Sequence, residues 1–153
     1  SHWFIVCEDA NSLGVNSMKK LTGNCLCGAV TFEIEDDFDH FQLCHCTQCQ
    51  KTTGSAHASN LFTNPESITW LSGTQDIVRY DVEGRRISNV FCRKCGSRVP
   101  YLSLSGEVLA VPAGSLNETP AMPAQAKIFW QVRADWYDEA LLASRYETFI
   151  SSD

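Results

Sequence analysis

The chain has 153 residues, 44% of them hydrophobic and 20% charged, which is enough to bury a core and ordinary for a globular protein. A formal charge of −6 speaks against a nucleic-acid partner, since binding a phosphate backbone needs Lys and Arg in excess. No apolar run approaches the roughly 20 residues that span a bilayer, so no membrane partner is expected.

Residues 1–17 carry no turn-bounded strand pattern and run into Met18-Lys19-Lys20 through a polar stretch. They are expected to be an extension, in part foreign to the native chain, with residues 18–153 as one domain. Glu8 and Asp9 follow the short apolar patch too closely for a signal peptide, and Cys7 stands alone as a bystander thiol.

From Gly28 onward short strands alternate with turn signals. Val30, Phe32 and Ile34 alternate with Thr31, Glu33 and Glu35, the period of a half-buried strand. Similar runs cover 67–71, 76–82, 86–91, 98–104 and 108–111, separated by the turn pairs Ser72-Gly73, Glu83-Gly84 and Ser105-Gly106. Pro112, Pro120 and Pro123 mark a loop, 127–132 reads as a last strand, and 138–144 reads as a short helix. The fold class is mainly β.

The chemistry sits in the cysteines. Eight of them would suit four disulfides in a small secreted protein, but close i,i+2 and i,i+3 spacings suit a single metal better than bridges between strands. Cys25-Leu26-Cys27-Gly28 and Phe91-Cys92-Arg93-Lys94-Cys95-Gly96 offer two pairs, and Cys44-His45-Cys46-Thr47-Gln48-Cys49 offers three thiols in one tight segment. An extended backbone puts Cys25 and Cys27 on one face, and a turn brings Cys92 and Cys95 together. Four thiolates close a tetrahedral structural zinc, whereas three leave a position open, as catalytic zinc requires. The arithmetic predicts two zinc ions per chain in a reduced, cytoplasmic enzyme. Spacing alone leaves a second grouping open, with Cys46, Cys49, Cys92 and Cys95 as the knuckles of a zinc ribbon.

His45 alternates with the cysteines, so its ring is expected to point away from their metal, and His57 is expected to be an ordinary polar residue. Lys51, Arg79, Arg85, Arg86, Arg93, Lys94 and Arg98 are mostly solvated charges by default. One or two of them can receive an anionic substrate if the fold concentrates them.

Taken together, 21–30, 44–54 and 91–96 resemble the glutathione-dependent formaldehyde-activating enzyme family over roughly 18–149. Pro123, Lys127-Ile128-Phe129 and Trp136 are similar to that family's tail. The resemblance implies a β-tent of small antiparallel sheets clamped by zinc. It also implies a grouping: Cys25, Cys27, Cys92 and Cys95 on a structural zinc, and Cys44, Cys46 and Cys49 on a catalytic one. The implied activity is that of a carbon–sulfur lyase condensing glutathione, the co-substrate, with formaldehyde to S-hydroxymethylglutathione. Gln50 stands where many relatives carry Arg, and Lys127 where many carry His. Gln50 therefore favours, as an alternative, the same zinc chemistry on another small electrophile or thiol adduct. A third reading is a non-catalytic zinc module, which a fourth protein ligand beside Cys44, Cys46 and Cys49 would favour.

Overall fold

The computed structural model describes residues 18–150; the expected extension at 1–17, with Cys7, lies outside them. The architecture is mainly β, in three small sheets with few short helices. In the first sheet, β1 (Lys20–Asn24) and β2 (Thr31–Glu35) form an antiparallel hairpin, and β5 (Ile68–Ser72) pairs with the other edge of β2. The second sheet has five strands. Its centre is the antiparallel set β3 (His40–Cys44), β4 (Ala58–Thr63) and β9 (Leu109–Pro112). The short β8 (Tyr101–Leu102) lies beside β9, and β10 (Ala126–Ile128) lies parallel to β3. The third sheet is the hairpin β6 (Ile77–Asp81) and β7 (Ser88–Cys92).

Alternation along these strands sorts residues between a core and a cleft. Leu21, Phe32 and Ile34 of the first sheet meet Leu61, Leu109 and Val111 of the second, with Phe38 beside them, in a fully buried cluster. Register decides what faces the other way. Asn60 lies opposite Gln42, Ala58 opposite Cys44, and Phe62 and Tyr101 flank Ala110 from either side. Directly opposed residues share a face, so Cys44, Asn60, Phe62 and Tyr101 all stand on the side of the sheet away from that core.

Gly23 lies opposite Phe32, whose ring occupies the space a Cβ would need. Gly23→Ala is expected to lower stability by roughly 1–3 kcal/mol through overpacking, read as an earlier midpoint in urea. A midpoint equal to the parent's would mean that the Phe32 ring can swing aside without loss.

Several expected strands hold with shifted ends, and two break. The run 98–104 keeps ladder pairing only at Tyr101–Leu102, because Pro100 has no N–H to donate and Arg98 makes a single bridge to Phe91. The run 127–132 stops at Ile128: Phe129 turns left-handed (φ 54°), and Trp130–Val132 form a 3-10 turn. That turn brings Trp130 onto the ring of His45. The expected helix at 138–144 is one turn, Tyr137–Ala140.

Candidate metal centre and cleft

The four-cysteine set sits where two hairpins meet. Cys25 and Cys27 occupy the loop after β1, held by Cys25 N–H donating to Val30 O at 3.0 Å. Cys92 ends β7, and Cys95 follows in a turn closed by Gly96 N–H to Cys92 O at 2.7 Å. Gly96 has φ 77°, a value that L side chains rarely adopt. The sulfurs of Cys25, Cys27, Cys92 and Cys95 all lie within 4.8 Å of one another. Sγ of Cys27 is 3.6 Å from that of Cys25 and 3.9 Å from that of Cys92. Sulfurs placed tetrahedrally around a zinc at its usual bond length are about 3.8 Å apart, so the donor set and its spacing fit that ion.

Backbone amides face the same sulfurs: Val30 N–H donates to Cys25 Sγ at 3.3 Å and Lys94 N–H to Cys92 Sγ at 3.4 Å. Such donors favour thiolates. The side chain and backbone of Ser97 likewise hold the Cys95 thiol down to about 5. Around this set Val30, Val90 and Val99 make a second apolar cluster.

The three-cysteine set is built differently. Cys44 ends β3, Cys46 is the N-cap of helix α1 (Thr47–Thr53), and Cys49 lies in that helix's first turn. Cys46 Sγ accepts the Cys49 N–H at 3.2 Å, doing what a Ser or Asp side chain does at that position. The tight segment read from the sequence is thus a strand end running straight into a helix. These three sulfurs also lie within 4.8 Å of one another, and no fourth His, Cys, Asp or Glu among the described residues joins them. Cys46 and Cys49 gather with Cys44 rather than with Cys92 and Cys95, which is not the ribbon grouping. A hydrogen bond from Cys49 pulls the Cys44 thiol down to about 6, and the same bond pushes Cys49 up. The metal-free set therefore shares protons unevenly, and protons compete with any ion for it.

These sulfurs border a cleft of about 500 Å³, within the range of small-molecule sites. Phe62, Ile128 and Phe129 form apolar wall, while Asn60 and Tyr101 rise from the sheet face. Arg85 and Arg86 reach the cleft from the β6–β7 turn, and Arg98 from the segment after Cys95. Of the seven candidate cations, these three border the cleft. Arg79 instead pairs with Asp81 at 2.9 Å, while Arg93 and Lys94 lie against Asp76. Burial pushes the Tyr101 hydroxyl up from its ordinary value, so it stays protonated through the neutral range. Asn60 and Tyr101 carried no sequence signal. Only the register of β4, β9 and β8 brings them to the cysteines.

His45 is not part of the metal set. Its ring is fully buried, 4.9 Å from His57, 5.0 Å from Trp130 and 4.9 Å from Tyr137, and burial depresses its pKa. His57 accepts from or donates to Ser59 Oγ at 3.1 Å. Gln50 does not border the cleft: its Nε2 donates to His45 O at 2.9 Å and Val132 O at 3.2 Å, tying α1 to the chain after β10. Lys127 lies 5.2 Å from the Trp130 ring centre.

The chain is also similar to known proteins. The family model described as "Glutathione-dependent formaldehyde-activating enzyme" matches residues 20–132. A protein of Halomonas elongata named "Putative glutathione-dependent formaldehyde-activating enzyme" is 25% identical over 126 residues, covering 77% of this chain and 80% of that one. A crystal structure of a Rhodobacter sphaeroides protein superimposes with a TM-score of 0.56 at 22% identity, over 69% of this chain and 98% of that one. That last likeness is one of fold.

Proposed function

We propose that this chain, which belongs to the glutathione-dependent formaldehyde-activating enzyme family, is a zinc-dependent carbon–sulfur lyase that condenses glutathione with formaldehyde or a closely related electrophile. The observation that carries the reading is the three-sulfur set, with no fourth protein ligand among the described residues, on the wall of a cleft large enough for a small peptide thiol. We assign a structural zinc to Cys25, Cys27, Cys92 and Cys95, and a catalytic zinc to Cys44, Cys46 and Cys49. A zinc ion in the second set supplies an open coordination position that favours the thiolate form of a substrate thiol.

The chain's own residues do the rest. Arg85, Arg86 and Arg98 present positive charge to the carboxylates of glutathione, in a protein whose net charge is otherwise negative. Phe62 and Ile128, with Phe129 at the rim, offer the electrophile an apolar wall to lie against. In the reaction the thiol sulfur bonds to the carbonyl carbon, the C=O π pair passes to oxygen, and the proton lost by the thiol ends on that oxygen. No oxidant or reductant is consumed. Such a protein suits a compartment where thiols stay reduced, as they do in the cytoplasm.

Gln50, which ties α1 to the chain after β10 and carries no charge, supports a second reading, in which the same zinc chemistry acts on a different small electrophile or thiol adduct. The glutamine adds no charge to the cleft, so substrate choice falls to the three arginines and the apolar wall. The test is exchange NMR on zinc-loaded protein mixed with glutathione and formaldehyde, then with larger aldehydes. Adduct exchange well above the spontaneous rate is expected. Exchange at the spontaneous rate for every aldehyde would overturn the lyase reading.

A further inference from the structure

The two cysteine sets differ in exposure, in the opposite sense to their ligand count. In the three-cysteine set, Cys44 and Cys49 are each 9% exposed and Cys46 is half-buried. In the four-cysteine set, Cys25 and Cys92 are fully buried and Cys95 is half-buried, but Cys27 is exposed, alone among the described cysteines. The loop that carries Cys27 faces solvent: Leu26 is 85% exposed, and no atom lies within 4 Å of where a Cβ on Gly28 would stand. Its backbone is nevertheless fixed. Leu26 N–H donates to Ser97 Oγ at 2.9 Å, and Gly28 N–H donates to Cys25 O at 3.1 Å.

A cysteine that responds to an oxidant needs thiolate character, an open approach and a second thiol close by. Cys27 combines all three. A thiol that coordinates zinc is deprotonated outright, so an ion in this set supplies the thiolate. The exposed loop supplies the approach. Two further sulfurs are at hand, Cys25 Sγ at 3.6 Å and Cys92 Sγ at 3.9 Å. Those two are fully buried, so they can follow an attack at Cys27 but do not receive the first one.

We propose that Cys27 is the site at which hydroperoxides modify this protein, and that its oxidation expels the ion of the four-cysteine set. The proposal rests on the assignment of zinc to that set and not on the lyase activity. In the first step the Cys27 sulfur bonds to a peroxide oxygen as the O–O bond breaks. Sulfur is oxidised to a sulfenic acid, and the peroxide is reduced, its other oxygen leaving as hydroxide. In the second step the Cys25 or Cys92 thiolate attacks the Cys27 sulfur. The S–S bond forms, the S–O bond breaks, and a second hydroxide leaves; both hydroxides take protons from solvent. The set then holds two thiolates in place of four, and the thiolate is the form that ligates a metal. The sulfur most open to oxidation thus belongs to the set that ties the two hairpins together, not to the set on the cleft.

The experiment treats the zinc-loaded full chain with hydrogen peroxide below one equivalent, in the presence of dimedone to trap sulfenic acid. Peptide mass spectrometry then locates the label. Early labelling of Cys27 is expected to exceed that of each of the other six described cysteines by about fivefold or more, following its exposure. Without dimedone, a disulfide joining Cys27 to Cys25 or Cys92 is expected to appear together with free zinc, read by a metallochromic indicator. A reductant with added zinc should then restore the thermal melt, since a disulfide is reversible. Mapping is done on the parent chain, so it stands whether or not a Cys27 variant folds. First labelling at Cys44, Cys46 or Cys49, or equal labelling of both sets, overturns the proposal. So does a first disulfide that omits Cys27, or full modification of Cys27 with no zinc released. Cys46→Ser, in which only the four-cysteine set is complete, is expected to retain zinc. A folded but zinc-free Cys46→Ser protein overturns the metal assignment and the proposal with it, an outcome distinct from zinc that is bound but indifferent to Cys27.

Discussion

Cys95→Ser is expected to leave the protein insoluble or without a cooperative melting transition. The sulfurs of Cys27 and Cys92 are 3.9 Å apart across 65 residues of chain, so an ion in the four-cysteine set joins the β1–β2 hairpin to the β6–β7 hairpin. A structural zinc contributes on the order of 10–16 kcal/mol of apparent binding, comparable to the roughly 5–15 kcal/mol that holds a whole domain folded. Losing one ligand of four removes a large part of that. Cys46→Ser is expected to behave differently, because its set spans six consecutive positions and closes almost no loop. It should fold, lose one zinc and lose activity. The measurement is a pair of thermal melts with metal analysis. Equal loss of melting temperature in the two variants would show that the sets do not differ in structural weight.

Chelation at about pH 6 is expected to remove the ions in order, the one at Cys44, Cys46 and Cys49 first and with the fold intact. On the proposed assignment three protein ligands would hold that ion against four for the other. Thiolates must give up the ion to be protonated, so lowering the pH weakens both sites, and the less fully ligated one empties first. A substrate thiol at the open position should slow its loss, whereas a thiol that only scavenges free zinc should hasten it. The experiment is a chelator time course with metal analysis and circular dichroism, with and without glutathione. Simultaneous loss of both ions and of secondary structure would remove the physical basis for separating a structural from a catalytic site.

The parts of this structure that were legible in the sequence are those fixed by local chemistry. The alternation at 30–35 marks β2 because one face of that strand is buried and the other is not. The cysteine spacings mark two turns and a helix start because a metal needs its ligands close together. What was not legible depends on pairing at long range. β3 is an ordinary short stretch, His40–Cys44, and becomes a central strand only through β4 on one side and β10 on the other. The break after Ile128 could not be read from a run of good strand formers; it follows from the Trp130 ring lying against a buried histidine. Asn60 and Tyr101 are the sharpest case. Each is unremarkable in sequence, and they share a face with Cys44 only through the registers of four strands.

The parallel pairing of β10 with β3 also sets an order of events during synthesis. Cys44, Cys46 and Cys49 and their neighbouring strand β4 are complete once residue 63 has been made, but the wall supplied by Ile128, Phe129 and Val132 arrives last. The ribosome needs roughly 60 more residues to reach it, on the order of several seconds at ordinary elongation rates. Throughout that interval the three thiols stand open on one side. An ion that these sulfurs would take can therefore reach them before the cleft exists, and the nascent chain passes through a stage when oxidants reach them more easily than in the finished protein.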